Sequence, residues 1–156
     1  MRGRSATSYG RAMSEHENRR ALETALEHFQ RGFRDPAAAE PYFELYAAGV
    51  KLHGFPPGVE NVDGLRGMYG EIWAALPDGR LHVEDVIAAG DRVACRVRIA
   101  GTHSGADLMG VPAAGTDIEI HGQTILRFEN GRCAERWQSM DALGVLQQLG
   151  ALPAPA

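Results

Sequence analysis

The apolar positions change period about halfway along the chain. Over residues 17–33, Leu22, Ala25, Leu26, Phe29 and Phe33 recur every three or four residues, which predicts a helix with one buried stripe. "RDPAAAEPYFELYAA" predicts a second, short helix with Asp35 as its cap and Pro36 at its first position. "GVKLHGF" reads as a short strand that stops at Pro56-Pro57. "NVDGLRGMYGEIWAALPDG" returns to helical spacing through Leu65, Met68, Tyr69, Ile72 and Leu76, and Pro77 and Gly79 close it. The second half alternates instead. "RLHVEDVIAA", "RVACRVRIAGTHSG", "TDIEIHGQTILRFE" and "RCAERWQSMD" predict four strands, with "AAGD" and "ENG" as hairpin turns. "DALGVLQQLG" closes the chain as a short helix, with Gly150 as its stop and Pro153 beyond.

Helices first, then an antiparallel meander, then a small closing helix define an α+β fold. The expected architecture is a cone: a curved antiparallel or mixed sheet wrapped around the N-terminal helices, with a ligand pocket at the open end. Strand alternation assigns faces. Val93, Cys95, Val97, Ile99 and His103 share the core face of one strand, and Arg92, Arg96 and Arg98 the other. Ile118, Ile120, Gly122, Thr124, Leu126 and Phe128 form the apolar face of the next, with His121 and Gln123 opposite unless Gly122 marks a bulge. In the last strand Cys133, Glu135, Trp137, Ser139 and Asp141 are expected inward, because Arg132, Arg136, Gln138 and Met140 make the other set long and mostly polar.

Composition narrows the class. The chain has 156 residues, 44% apolar and 23% charged, which suits one ordinary domain. We expect that domain over 14–152, with a flexible tail over 1–13 and a loose end over 153–156. A net charge of −4 gives no footprint for a nucleic-acid partner. No apolar run approaches a membrane span, and the N-terminus lacks the apolar core of a signal peptide. Cys95 and Cys133 have neither zinc spacing nor a disulfide framework, which fits a reducing, cytoplasmic setting. No histidine pair sits at metal-ligand spacing, so no metal is expected.

The candidate chemistry gathers at the end of the last strand. Asp141 before "ALGV" makes a good helix N-cap. On the inward face it would also lie beside Trp137, and partial desolvation would raise its pKa toward that of a base. The two roles compete, since a carboxylate saturated with backbone N–H bonds makes a poor base. Glu135, on the same face, is expected to pair with an arginine of a neighbouring strand.

"GTHSGADLMGVPAAG", "IEIHGQTILRFENGRCAERW" and "DALGVLQQLG" resemble the SnoaL-like polyketide cyclases, small proteins with the nuclear transport factor 2-like cone fold. The resemblance runs from about His53 to Leu149. It implies ring closure of a polyketide-like ketone by intramolecular aldol addition, a lyase- or isomerase-type step of secondary metabolism that uses neither metal nor organic cofactor. Asp141 matches the family position that removes and returns the proton, and His53 and His103 are candidates to steady the enolate oxygen. Tyr69, Trp73, Met109, Thr124, His121, Trp137 and Ser139 are the candidate substrate-binding residues. Thr124 stands where many relatives carry an acidic or other polar side chain, which tells against a two-carboxylate mechanism. The implied partners are a small hydrophobic or aromatic ligand and a second copy of the chain, covering the Arg96 and Arg98 face. Two alternatives stay open: an epoxide hydrolase, needing an arginine such as Arg98 or Arg96 between Asp141 and Asp117, and a non-catalytic ligand-binding protein.

Overall fold

The computed structural model describes residues 7–153 and residue 156. Helix α1 runs Thr7–Arg31 and buries Leu22, Ala25 and Phe29 along the expected stripe. It begins inside the segment expected as a tail; residues 1–6, and 154–155 at the other end, lie outside the described residues. Pro36–Leu45 follows as a 3₁₀ helix, with Asp35 accepting from the Ala37 N–H at its start. Pro41 inside this segment has no N–H to give, which disfavours a continuous α-helical ladder. Helix α2, Val62–Ala75, is capped by Asn61, whose side chain accepts from the Gly64 N–H. Edge-on and tilted aromatic contacts fasten these three pieces together. Phe29 meets Tyr69 at 4.9 Å, Tyr42 at 5.3 Å and Trp73 at 5.1 Å between ring centroids.

Five strands make one mixed sheet in the order β1-β5-β4-β3-β2. They are β1 Tyr46–His53, β2 Arg80–Ala89, β3 Arg92–His103, β4 Thr116–Glu129 and β5 Arg132–Met140. The first strand lies parallel to the last, and the other pairs are antiparallel. Asn130 and Gly131 both take positive φ in the β4–β5 turn, the two-residue geometry whose twist matches the strands. Helix α3, Ala142–Gln148, closes the sheet's end. Among the described residues no helix is long and apolar enough to cross a membrane. Cys95 and Cys133 are free and buried.

The expected faces of β3 and β4 are found. Val93, Cys95, Ile99 and His103 are buried, as are Ile118, Ile120, Leu126 and Phe128. Gly122 pairs in unbroken register with Val97 and causes no bulge. The face assignment of β5 is corrected. Phe128 pairs with Cys133, but Arg127 pairs with Glu135, so Ala134 is an extra residue in β5. That bulge turns every later side chain to the opposite face. Cys133 points inward as expected. Beyond it, Arg136, Gln138 and Met140 share the face of Leu126, Thr124 and Gly122, and Glu135, Trp137 and Ser139 face outward. A second register shift between Val83 and Asp85, in the β2–β3 pair, adds to the curvature that makes the sheet concave.

Gly32, just after α1, tests the helix-to-helix packing. A Cβ there would stand 2.3 Å from the Trp73 ring. Gly32→Ala is expected to destabilise the fold by about 1–3 kcal/mol through overpacking, measured by urea denaturation.

Candidate functional site: a cavity with a buried guanidinium

A cavity of about 620 Å³ opens between the helices and the concave face of the sheet, a size suited to a small organic ligand. Its walls are chiefly apolar, from α1, α2, β3 and β4, with Met68, Met109 and Met140 among them. Met109 and Gly110 both take positive φ in a tight turn closed by the Leu108–Val111 bridge, which sets the Met109 side chain against the cavity.

Arg136 is the polar centre. It is only 6% exposed and it lines the cavity. Its Nε donates to Thr124 Oγ1 at 2.8 Å, and one terminal nitrogen donates to the Tyr42 hydroxyl at 3.1 Å and to the Tyr46 hydroxyl. The other donates to Gln138 Oε1 at 2.6 Å. Tyr42 and Tyr46 are themselves bonded hydroxyl to hydroxyl at 2.7 Å. Among the described residues no carboxylate reaches this guanidinium; its partners are hydroxyls and one amide oxygen. Burial opposes its charge, but the oxygens of Tyr46, Tyr69 and Tyr42 outweigh that and hold its pKa well above the usual arginine value. Burial pushes Tyr42 and Tyr46 well up, so both remain phenols at neutral pH. Burial also pushes the Cys95 thiol, on the cavity wall, to about 11, which leaves it protonated and inert.

This cluster has spent its acceptors and kept donors. Thr124, both phenols and the Gln138 carbonyl all accept from Arg136. The Gln138 amide nitrogen makes no hydrogen bond among the described residues. A phenol pair bonded to each other also keeps one O–H proton to give. Both forks of the guanidinium are engaged, so a two-pronged carboxylate contact would have to displace a partner. What remains is a set of single donors around a positive charge, suited to one electron-rich oxygen such as that of a ketone or enolate.

Of the residues singled out from sequence, Tyr69, Met109 and Thr124 line this cavity. The others are placed elsewhere. Asp141 is exposed beyond the end of β5 and caps α3, accepting from the Gly144 N–H at 2.9 Å. Its second oxygen fills the space a Gly144 Cβ would need, 2.2 Å away. His53 lies on the outer face, stacked on Trp137 with centroids 5.4 Å apart, and its Nε2 is 2.9 Å from Glu135 Oε1. Glu135 does pair with a neighbouring-strand arginine, Arg127, but outside the cone; the His53 bond first, then Arg127, keeps its pKa low. His103 is buried, yet its ring is bonded to the Ala106 carbonyl at 2.8 Å and pins the β3–β4 loop. Trp73 packs within the aromatic cluster and does not line the cavity. Trp137 and Ser139 were turned outward by the bulge, and His121 sits outside beside Glu119 at 3.3 Å. Arg96 and Arg98 face outward as expected, paired with Asp85, Glu84 and Glu119. Asp117 accepts from the Thr102 hydroxyl. Glu71 is the one carboxylate among the described residues that lines the cavity, from an exposed position on α2.

Sequence reasoning missed Arg136, Tyr42 and Gln138. The one usable signal was symmetric: either register of β5 puts one charged residue inside, Glu135 or Arg136. Only the Tyr42 and Tyr46 hydroxyls, available as acceptors, favour the arginine.

The sequence profile of the SnoaL-like polyketide cyclases matches residues 24–149, and the chain belongs to that family. Similar solved structures include TsrD from Streptomyces laurentii, at 26% identity and a TM-score of 0.70 over 86% of this chain and 98% of that one. IdmH, a proposed polyketide cyclase from Streptomyces antibioticus, is 29% identical with a TM-score of 0.62, over 83% of this chain and 98% of its own. A proposed SnoaL-like cyclase from Jannaschia sp. shares the fold at 23% identity and a TM-score of 0.72, over 98% of this chain and 100% of its own. No curated protein matches the chain in sequence.

The cap geometry makes a prediction about Asp141. Asp141→Ala is expected to cost about 1 kcal/mol in urea denaturation, and Asp141→Asn almost nothing, because asparagine caps as well as aspartate.

Proposed function

We propose that this chain is a ring-closing or isomerising enzyme of the SnoaL-like type that binds a polyketide-like ketone in the cone and stabilises its enolate at Arg136. The observation that carries the reading is a buried guanidinium without a carboxylate partner among the described residues, facing an apolar cavity. Loss of an α-proton puts negative charge on the ketone oxygen. A fixed cation with donors already oriented favours that charge without reorganising at the moment of reaction. Apolar walls hold the rest of the ligand folded, so that a second carbonyl lies near the carbanion for aldol closure. Glu71, on the cavity wall, takes the proton-acceptor role in this reading, and Asp141 remains the cap of α3. The epoxide-opening alternative needs an arginine bridging carboxylates, and the partners of Arg136 are neutral. A homodimer through the outer sheet face belongs to the same reading. Ile87, Ala94, Ile125 and Trp137 are register neighbours across four strands there, and Ile87 is 64% exposed.

One observation favours a non-catalytic binding protein: Glu71, the single wall carboxylate among the described residues, is exposed. Deuterium uptake into the methyl group of acetophenone, followed by NMR without added metal or cofactor, separates the readings. The wild-type chain is expected to accelerate uptake. Arg136→Met should lose about 100-fold of that acceleration, Glu71→Gln should lose most of it, and Asp141→Asn should keep it. Arg136→Met exchanging at the wild-type rate contradicts the proposal, and binding without any acceleration selects the binding protein.

A further inference from the structure

Three glycines of the cavity wall, Gly64, Gly67 and Gly122, stand where regular structure would ordinarily carry a side chain, and two of them are not explained by packing. Gly67 lies in the interior of α2, and Gly122 lies in the middle of β4. Glycine is unfavourable at both kinds of position, because it has the most backbone freedom to lose and no side chain to pack. A glycine is retained in such places when another group needs the room.

At neither position does the protein itself take up the room. A Cβ on Gly67 would meet nothing within 4 Å, and one on Gly122 would meet only ordinary contacts, Ser139 O at 3.7 Å and a Val97 methyl at 3.8 Å. Gly64, in the same helix, differs: its Cβ would stand 2.9 Å from the Val59 backbone, so packing explains it. Gly67 is exposed, toward the open end, whereas Gly122 is half-buried. One belongs to the helical wall and the other to the sheet wall of the same cavity. Arg136 faces that cavity too, nine-tenths buried and without a countercharge among the described residues, which independently marks the space as a ligand's.

We infer that Gly67 and Gly122 set the size selectivity of the site: their missing side chains leave a slot for a fused, flat ring system whose oxygen reaches Arg136. The inference rests on the ligand orientation given under the proposed function, and adds what the walls select. A methyl group on either glycine narrows the slot where a second ring would lie, and leaves room for a single ring held at Arg136.

Gly70 supplies an internal control. It is a glycine of the same helix, its Cβ would also meet nothing within 4 Å, and it does not line the cavity. Titration calorimetry on the full chain compares ortho-hydroxyacetophenone with its two-ring analogue, hydroxyacetonaphthone, which present the same phenol-ketone group. Gly67→Ala and Gly122→Ala are expected to weaken the two-ring probe by about tenfold or more and the one-ring probe by less than about twofold. Gly70→Ala should bind both as the wild type does. Gly67→Ala and Gly70→Ala should melt about 2–4 °C higher, since alanine favours the helix. The inference is overturned if Gly67→Ala and Gly122→Ala bind the two-ring probe like the wild type, or if Gly70→Ala weakens it equally. Arg136→Met, expected to weaken both probes alike, tests the floor of the site separately from its walls.

Discussion

A guanidinium held out of water by neutral oxygens is the constraint around which the cone is organised. Desolvating such a charge costs several kcal/mol. Arg136 recovers that through its bonds to Thr124, Tyr42, Tyr46 and Gln138; bonds to a charged group return about 1.5–3 kcal/mol each. Those partners come from β4, the 3₁₀ segment, the start of β1 and β5 itself. One side chain therefore ties the helical layer to the sheet. It also leaves a positive potential facing an apolar space, where an electron-rich oxygen is favoured and water competes poorly. Stability and chemistry draw on the same contacts.

The geometry depends on one surplus residue. Ala134 has no partner in the β4–β5 ladder; if it paired with Arg127 in a regular ladder, Glu135 would stand opposite Leu126 in place of Arg136. The site would then hold an anion, and its preference would reverse. The same bulge sends Trp137 outward, where it stacks with His53 and lies 5.2 Å below the Arg92 guanidinium. A local change in backbone count thus decides both the sign of charge inside the cone and the aromatic character of its outer face.

Elements that depend on local signals were legible in the sequence. The stripes of α1 and α2, the Asp35 and Asn130-Gly131 turns and the alternation of β3 and β4 each rest on a few adjacent residues, and all are found. The motifs that carry the family resemblance sit on β3, β4, β5 and α3, so the fold followed with them. The site was much less legible. Tyr69 and Thr124 could be placed because their helix and strand keep register, and Met109 lies in the loop between β3 and β4. Trp137, Ser139 and Asp141 could not, because alternation past a bulge is a nonlocal property: it depends on which β5 residue pairs with Arg127. His103 was placed on the correct face, but its ring is committed to the Ala106 carbonyl, a loop contact that spacing does not encode.

The most direct test of the account is the ionisation of a phenol inside the cone. Para-nitrophenol changes colour when it loses its proton, and its titration can be followed free and bound to the full chain. If Arg136 keeps its charge and the donors around it face a single oxygen, the bound phenol ionises at lower pH than the free one, and Arg136→Met abolishes the shift. A bound phenol that ionises at the same or higher pH would mean that the cavity behaves as a plain apolar container, and the central role given to the guanidinium would be contradicted.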